Sequence, residues 1–526
     1  MKDSNETNLG LSLLEKGRRG FGRVIFSRVG LIVLLLLVQI LILAGVLIRF
    51  WDATPFYFGA SGLFSFCMVI YLLNSDTDPT AKITWLVLIM LMPIFGTSLY
   101  LFVKSDLGHR LERRRLNSLY DQTENSIEQK SGVFEALAEE NSGAAALSRY
   151  IRRAGCFPVY DGTDVTYFPS GEAKWKEMLR QLQNAKSFIF LEYFIIDEGL
   201  MWGKVLEILA QKAAEGVDVR VMYDGTCEFT KLPSSYPKKL AELGIKCKMF
   251  SRLTPFVSTY FNYRDHRKIL VIDGHTAFNG GVNLSDEYIN HINLHGHWKD
   301  TAVMLKGEAV KSFTLMFLQL WNMSEKETDF GRFLSVPVQA SEHASGFVIP
   351  YGDCPLNNHK LGERVYMDIL NRAERYVHIM TPYLILDGEM ETALKYAAER
   401  GVDVKLILPG VPDKLSPYAL ARTHYASLLA SGVQIYEYTP GFVHAKVFVC
   451  DDREAVCGTI NLDYRSLYHH FECATYLCGT DCIADMEKDF RSTLEECRLV
   501  TTESLRHEKR LLLLFGMLLK SIAPLM

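Results

Sequence analysis

The sequence predicts an α/β protein built from two similar halves, with apolar segments of membrane-spanning length in front of them. Two observations predict the halves. Residues 266–283 and 444–461 share one pattern, and the apolar segments around them recur in the same order. A third observation predicts the membrane part, because three uncharged apolar runs lie within the first 103 residues. With 526 residues, the chain is long enough for both halves.

The shared pattern is His, then Lys two residues later, then Asp five residues further, then a Gly-containing turn that ends in Asn. Its members are His266, Lys268, Asp273, Gly280 and Asn283 in the first copy, and His444, Lys446, Asp451, Gly458 and Asn461 in the second. The spacing agrees at every step. Chance does not readily produce two such copies, so the pattern indicates a duplicated functional motif.

Both motifs are predicted to be strands that run into tight turns. Residues 269–272 and 447–450 are short apolar runs bounded by Asp and Gly. Side chains alternate along a strand, so the His and Lys of each motif share one face and the Asp points to the other. We therefore expect His and Lys to address a ligand. Asp273 and Asp451 are expected to hold the framework, by pairing with a buried cation or by capping the turn.

The repeat extends upstream of the motifs. EGVDVRVMYDG at 215–225 parallels RGVDVKLILPG at 400–410, and FIFLEYFIIDEG at 188–199 parallels VHIMTPYLILDG at 377–388. Between these segments, residues 205–215 and 390–400 have apolar side chains at helical spacing, which predicts a helix in each.

This order predicts two α/β halves, 132–335 and 336–500, with mixed, largely buried sheets flanked by helices. A pseudo-twofold arrangement would bring both histidines to one site. The alternative is two separate domains, each with one His and no acid partner.

The first hundred residues predict membrane helices. Segments 31–48, 56–73 and 83–103 approach the roughly 20 residues needed to cross a bilayer. A basic tail, 1–30, precedes them and a charged linker, 104–131, follows. The positive-inside rule places both basic flanks in the cytoplasm, whereas three spans would separate them, so one segment does not cross or one flank breaks the rule.

We expect a multi-pass protein of the cell membrane with its catalytic part in the cytoplasm. The eleven cysteines show no disulfide-like spacing, which favours reducing surroundings. The last segment, 501–526, is apolar but short for a span, and it is expected to lie in the membrane interface.

Duplicated His and Lys suit phosphoryl transfer. A neutral imidazole can attack phosphorus and form a phosphohistidine, while a second, protonated imidazole gives a proton to the leaving alkoxide. The two Lys and two Asn of the motifs can hold the non-bridging oxygens. No cofactor or metal is needed, and Lys beside each His disfavours a metal site. The loop holding His291, His295 and His297 fits no metal spacing and is expected to be a polar loop near the active cleft.

The doubled motif resembles the phospholipase D superfamily. The flanking segments FNYRDHRKI, HWKDTAV, GFVHAKVFVCDD and GTINLDYRSLYHHFE resemble bacterial cardiolipin synthases within it. This resemblance implies an enzyme that transfers a phosphatidyl group from one phosphatidylglycerol to another, with release of glycerol. It also implies His266 as the nucleophile and His444 as the general acid and base.

The resemblance further implies a carboxylate downstream of each motif that orients its histidine. Glu472 lies at the fitting offset from His444, and Asp300 is the nearest candidate in the first half. One departure is Asp265, where the family usually has Asn, which adds a negative charge beside the presumed nucleophile.

Other functions are left open or disfavoured. A phospholipase D that uses water or another alcohol is the alternative, because the pocket for the acceptor lies outside the motifs. The net charge of −4 gives no general attraction to nucleic acid, which argues against a nuclease. Two complete motifs argue against an inactive scaffold. The expected partners are phosphatidylglycerol and the lipid bilayer.

Overall fold

The computed structural model describes residues 41, 45, 54–75, 79–105, 110–250, 263–357, 359–507 and 510–525. These residues fall into two compact units. One holds the described residues from 113 to 517, and the other holds the described residues up to 112 together with 518–525.

The larger unit contains two sheets, one in each half of the repeat. The strands of the first half are β1 (Asp164–Phe168), β2 (Phe188–Tyr193), β3 (Asp218–Asp224), β4 (Lys246–Phe250), β5 (Arg264–Asp265), β6 (Lys268–Ile272), β7 (Thr276–Gly280), β8 (His297–Lys299) and β9 (Ala302–Lys306). Those of the second half are β10 (Phe347–Asp353), β11 (Tyr376–Met380), β12 (Leu384–Ile385), β13 (Asp403–Pro409), β14 (Gln434–Tyr438), β15 (Gly441–Val443), β16 (Val447–Cys450), β17 (Glu454–Gly458), β18 (Leu462–Asp463), β19 (His470–Cys478) and β20 (Cys497–Leu499).

The two sheets have the same strand order. The first runs β1-β9-β7-β6-β2-β3-β4, and the second runs β10-β19-β17-β16-β11-β13-β14, with β20 added at its edge. In each sheet the two crossover-connected pairs are parallel and the hairpin pairs are antiparallel. The predicted pair of mixed α/β halves is therefore confirmed, and the motif strands β6 and β16 occupy equivalent central positions.

Helices accompany the strands. They are α1 (Thr54–Leu73), α2 (Pro79–Leu91), α3 (Pro93–Ser105), α4 (Arg110–Thr123), α5 (Ser131–Glu140), α6 (Ser142–Gly155), α7 (Gly171–Gln183), α8 (Leu200–Ala214), α9 (Cys227–Thr230), α10 (Tyr236–Glu242), α11 (Val310–Trp321), α12 (Phe330–Leu334), α13 (Leu361–Arg372), α14 (Gly388–Glu399), α15 (Leu415–Ala430), α16 (Cys482–Glu495), α17 (Thr502–Arg506) and α18 (Arg510–Lys520). The predicted helices at 205–215 and 390–400 correspond to α8 and α14.

The halves share one hydrophobic core. One face of the first sheet packs with α11 and the second sheet, and the rings of Phe190 and Phe317 stack with centroids 4.5 Å apart. The other face of the first sheet is covered by α7, α8 and α10. The motif strands are buried on both faces, which explains why their sequences are continuous apolar runs.

Two short parallel pairings connect the halves beside the motif histidines. Strand β5 pairs with the start of β19, and β8 pairs with β15. The backbone N–H of His266 donates to the carbonyl of Phe471 at 2.9 Å, and that of His444 donates to the carbonyl of Lys299 at 2.7 Å. The chain entering each motif is thus fixed by the opposite half.

The predicted membrane segments are described in part. Segment 31–48 lies outside the described residues except for Leu41 and Gly45, 56–73 falls in α1, and 83–103 is divided between α2 and α3 at Met92. In the part of the chain that is described, the structure contains no helix long and apolar enough to cross a membrane.

The basic tail, 1–30, lies outside the described residues, and the described parts of the linker 104–131 and of the C-terminal segment 501–526 contain helices. Helix α4 lies within the predicted linker and buries Leu116 and Leu119 in the core of the larger unit. Helix α18 lies in the apolar C-terminal segment, and its Gly516 contacts α15 so closely that a Cβ there would lie 2.3 Å from the carbonyl oxygen of Ala419.

Candidate active site

The two motif histidines are buried side chains, each bound to a carboxylate. Nδ1 of His266 lies 2.9 and 3.0 Å from the two carboxylate oxygens of Glu472. Nδ1 of His444 lies 2.7 Å from Oδ2 of Asp300. A carboxylate next to Nδ1 favours the neutral tautomer that carries its proton on Nδ1. The lone pair of Nε2 is then free.

The pairing is crossed between the halves. The sequence offset assigns Glu472 to His444 and Asp300 to His266, and the structure shows the reverse, so that expectation is wrong. The physical reason is the short strand pairings: β19 runs beside the entry to the first motif and β8 beside the entry to the second. Each histidine therefore lies next to the other half's carboxylate, which is Glu472 within β19 and Asp300 directly after β8.

The two histidines and two lysines of the motifs are close enough to change one another's pKa values. Burial lowers the pKa of His266 well below its usual value, and the charges of Lys268 and Lys446 lower it further. Burial and the charges of the same two lysines also lower the pKa of His444 well below its usual value. Each histidine thus responds to the lysine of the other motif, as expected for one shared site. These lowered pKa values favour the neutral form of both imidazoles.

Burial also moves the lysines into the physiological range. It lowers the pKa of Lys268 to about 8 and that of Lys446 to about 7, although Glu472 and Asp300 respectively act in the opposite direction. Nζ of Lys446 lies 2.9 Å from Nδ1 of His444. Burial likewise raises the pKa of Asp300 to about 6, against the charge of Lys446.

Asp273 and Asp451 lie away from the histidines, at the far ends of the motif strands. The carboxylate of Asp273 accepts hydrogen bonds from the backbone N–H groups of Lys186, Ser187 and Phe188 at 2.7–2.9 Å. Asp451 accepts three equivalent bonds from residues 374–376. Five residues of strand separate Asp273 from Lys268, roughly 16 Å. These contacts reach the backbone N–H groups that open β2 and β11, and they agree with the expected framework role.

The motif asparagines differ from each other. Oδ1 of Asn283 accepts from the backbone N–H of Ile195 at 3.1 Å, and its Nδ2 donates to the hydroxyl of Tyr288 at 2.8 Å. Asn461 is buried, and its Oδ1 has no hydrogen-bond partner among the described residues. Asn283 is thus engaged in the framework, whereas Asn461 has an oxygen available to a ligand.

Glycines in both motif turns allow the close approach that the sequence predicts. A Cβ on Gly458 would lie 2.4 Å from Cβ of Ala474, and one on Gly280 would lie 2.4 Å from the carbonyl oxygen of Thr301. The next residue, Gly281, is tighter, because a Cβ there would lie 2.0 Å from Oδ1 of Asp300. The absence of a side chain at Gly281 leaves room for the carboxylate of Asp300, which contacts His444.

The unusual Asp265 belongs to a buried charge cluster. Its Oδ1 accepts from the backbone N–H of Arg267 at 3.2 Å, and its own N–H donates to Oδ2 of Asp224 at 3.1 Å. Burial raises the pKa of Asp265 to about 7, and the charge of Arg267 opposes that rise. The guanidinium of Arg267 lies 3.7 Å from Glu192. The cluster offsets part of the negative charge expected beside His266.

Sequence reasoning missed the third histidine of the site. The ring of His470 lies 5.3 Å from that of His266, and its Nδ1 lies 3.5 Å from Oε1 of Glu472. Its Nε2 has no hydrogen-bond partner among the described residues. Burial lowers the pKa of His470 to about 3. Its position two residues before Glu472 was the available signal, since Trp298 stands two residues before Asp300 and its ring lies 5.4 Å from His444.

Among the residues that the structure describes, one set of side chains could ligate a metal ion. His266, His470 and Glu472 offer ligand atoms within 4.8 Å of one another. Two lysines whose charges reach His266 disfavour a cation there. The predicted His-rich loop makes other contacts. Nδ1 of His297 lies 2.9 Å from the hydroxyl of Tyr438, and the ring of His295 lies near that of Phe442. That loop lies near His444, as expected.

Comparisons with known proteins agree with this geometry. A family profile described as cardiolipin synthase, phospholipase D-like domain, matches residues 178–321 and 366–494. The chain belongs to the cardiolipin synthase family of phospholipase D-type phosphatidyltransferases. A second profile, phospholipase D-nuclease N-terminal, matches residues 63–104.

Relatives in this cardiolipin synthase family come from several bacteria. Cardiolipin synthase 2 of Bacillus anthracis is 34% identical over 451 residues, which cover 84% of this chain and 86% of the relative. An uncharacterized protein of Streptococcus mutans is 56% identical over 462 residues, covering 87% of this chain and 99% of that protein. The crystal structure of phosphatidylserine synthase from Haemophilus influenzae is 13% identical, with a TM-score of 0.56 over 73% of this chain and 98% of that one, and this likeness shows the fold.

Proposed function

We propose that the protein is a membrane-bound cardiolipin synthase that works through a phosphohistidine. It transfers a phosphatidyl group from one phosphatidylglycerol to the free glycerol hydroxyl of another. The observation that carries this proposal is the crossed pairing of His266 with Glu472 and of His444 with Asp300. Neither half holds a complete histidine–carboxylate pair, so both histidines belong to one reaction site.

In the first step, Nε2 of His266 attacks phosphorus and the bond from phosphorus to the glycerol oxygen breaks. His444 gives its proton to that oxygen, and glycerol leaves. The imidazole of His266 becomes positively charged in this step. Glu472, at hydrogen-bond distance from Nδ1, stabilises that charge.

The acid needs a proton that the unliganded site does not hold, since the pKa of His444 is low. An arriving phosphodiester brings a negative charge, which raises the pKa of nearby imidazoles. Substrate binding therefore recruits the proton. Lys268 and Lys446 in their charged forms bind the non-bridging oxygens, and this stabilises the transition state.

In the second step, the roles of acid and base reverse. A hydroxyl of the second phosphatidylglycerol gives its proton to the now neutral His444, and its oxygen attacks the phosphorus bound to His266. The phosphorus–nitrogen bond breaks, and cardiolipin forms. No cofactor enters either step.

The membrane assignment rests on the sequence. The N-terminal apolar segments, with the basic tail 1–30 before them, anchor the enzyme in the cell membrane, and the halves 132–335 and 336–500 form the catalytic part on the cytoplasmic side. The cysteines of the described residues are free thiols, in agreement with reducing surroundings.

Product analysis tests the proposal. Purified full-length protein incubated with phosphatidylglycerol alone should release glycerol and form cardiolipin in equal amounts. His266→Ala and His444→Ala should both abolish turnover. Phosphatidic acid as the main product would instead identify a phospholipase D that uses water, the second candidate.

A further inference from the structure

Two loops lie beside the strand that leads into His444. Loop 290–296 precedes β8, and the backbone N–H of His297 donates to the carbonyl of Pro440 at 2.9 Å. Segment 410–415, which is the loop after β13 together with the first residue of α15, is the second, and the N–H of Val411 donates to the carbonyl of Gly441 at 3.1 Å. We call these two loops the rim. Since β15 ends at Val443, the rim borders the site within three residues of the motif histidine.

The rim concentrates the exposed apolar side chains of the catalytic unit. Among the described residues between 113 and 507, the large hydrophobic side chains that are exposed are Ile292, Leu294, Tyr396, Val411, Leu415 and Leu499. Four of the six lie on the rim, and the exposed fractions of Leu294 and Leu415 are 62% and 61%. Clustered exposed apolar side chains mark an interaction site, whereas single ones do not.

The rim also carries a cation. The side chain of Lys414 is 70% exposed and stands directly before Leu415. Asp413, which faces it at 3.8 Å, also accepts from the hydroxyl of Tyr383. The charge of Lys414 contributes to the lowered pKa of His444, so this lysine lies near both solvent and the reaction site. A lysine set among apolar side chains suits an anionic lipid surface, where the stem is buried and the ammonium meets headgroups.

A second apolar surface is attached next to the rim. Helix α15 begins at Leu415, and one turn later its Ala419 contacts Gly516 of α18. Helix α18 exposes Leu511 and Leu514. Helix α15 therefore connects the rim to a second helix that exposes apolar side chains.

We propose that the rim is the surface by which this enzyme docks on an anionic phospholipid bilayer, with Leu294 and Leu415 in the interface and Lys414 among the headgroups. This inference rests on the proposed function, because a two-chain phospholipid must reach a buried histidine. Drawing such a lipid through water costs about 0.8 kcal/mol for each exposed methylene. A rim in contact with the bilayer removes that cost, because the acyl chains stay in apolar surroundings.

The first experiment locates the rim relative to the bilayer. Leu415→Trp and Tyr396→Trp are made in the full-length protein, which is reconstituted into phosphatidylglycerol vesicles with brominated acyl chains. Tyr396 is a matched control: it is exposed, but it lies in the last turn of α14, before β13 begins, whereas the rim loop follows the other end of β13.

The added fluorescence of Leu415→Trp should be quenched by the bromine atoms and that of Tyr396→Trp should not. Equal quenching of the two, or of neither, would overturn the proposal. Emission of Leu415→Trp that depends on protein concentration rather than on lipid would assign the rim to a second copy of the chain, and this would overturn it as well.

The second experiment separates docking from catalysis. The double variant Leu294→Asp, Leu415→Asp should lower kcat/KM about tenfold or more on long-chain phosphatidylglycerol in vesicles, because each leucine loses its burial in the interface. On a short-chain, water-soluble phosphatidylglycerol the loss should be less than about twofold. Tyr396→Asp should change neither value. Equal losses on both substrates, or none, would refute the docking role.

Failure of the proposed function has a different result. If the wild-type protein makes no cardiolipin from either substrate, the proposed activity is wrong, and the quenching experiment still decides whether the rim contacts lipid.

Discussion

Replacing Glu472 with Gln should cripple His266 while leaving His444 intact. The variant keeps the shape of the side chain but removes the charge that faces the imidazolium of the phosphohistidine. With Nδ1 and Oε1 2.9 Å apart, the charge centres are about 4 Å apart. At an effective dielectric constant of about 20, the lost attraction is about 4 kcal/mol. Formation of the intermediate should slow by roughly 10³-fold.

The assay uses a phosphatidic acid p-nitrophenyl ester, whose leaving group departs without a proton. Its first step therefore needs the nucleophile but not the acid. Glu472→Gln should lose the burst of nitrophenolate, whereas Asp300→Asn, the matched change beside His444, should retain it. Both variants should fail to make cardiolipin from phosphatidylglycerol. Equal losses of the burst, or a loss confined to Asp300→Asn, would refute the assignment of Glu472 to a nucleophilic His266.

Three further predictions concern the lysines, the framework and the fit of the turn. Activity should fall as pH rises through about 7 to 8, because Lys446 and Lys268 lose their charges in this range. In Lys446→Arg, kcat should fall less steeply with rising pH, because arginine keeps its charge. Asp273→Asn should lower the free energy of unfolding by about 1.5–3 kcal/mol in denaturant titrations, with kcat changed less than about twofold, since its three bonds are to backbone. Gly281→Ala should lower kcat at least about tenfold while the melting temperature changes little, because its Cβ would displace Asp300; normal turnover would contradict the orienting role of that carboxylate.

The repeat made the fold predictable. Matched segments such as 215–225 and 400–410 became β3 and β13, at equivalent places in sheets of identical strand order. Period and spacing report local structure well, and each half repeats the same local signals. The motif histidines and lysines were likewise identified from spacing, because the chemistry requires those residue types, whereas the downstream carboxylates were identified from the resemblance to the phospholipase D superfamily.

The crossed pairing could not be predicted from spacing. An offset along the chain describes one half, whereas the partner of each histidine depends on how β19 and β8 run beside the opposite half. Likewise, His470 carries no motif of its own, and the signal for it in the sequence was its position two residues before Glu472, which it also contacts in space. Asp273 shares the motif with His266, yet the length of β6 separates them.

The most direct test of the account is to map the covalent intermediate. Full-length protein is mixed with radiolabelled phosphatidylglycerol, quenched within a turnover and digested. The account predicts at most one phosphatidyl group per chain, on the peptide that contains His266, and none in His266→Ala. Labelling of His266 and His444 in equal amounts, approaching two groups per chain, would contradict a single site shared by the two halves.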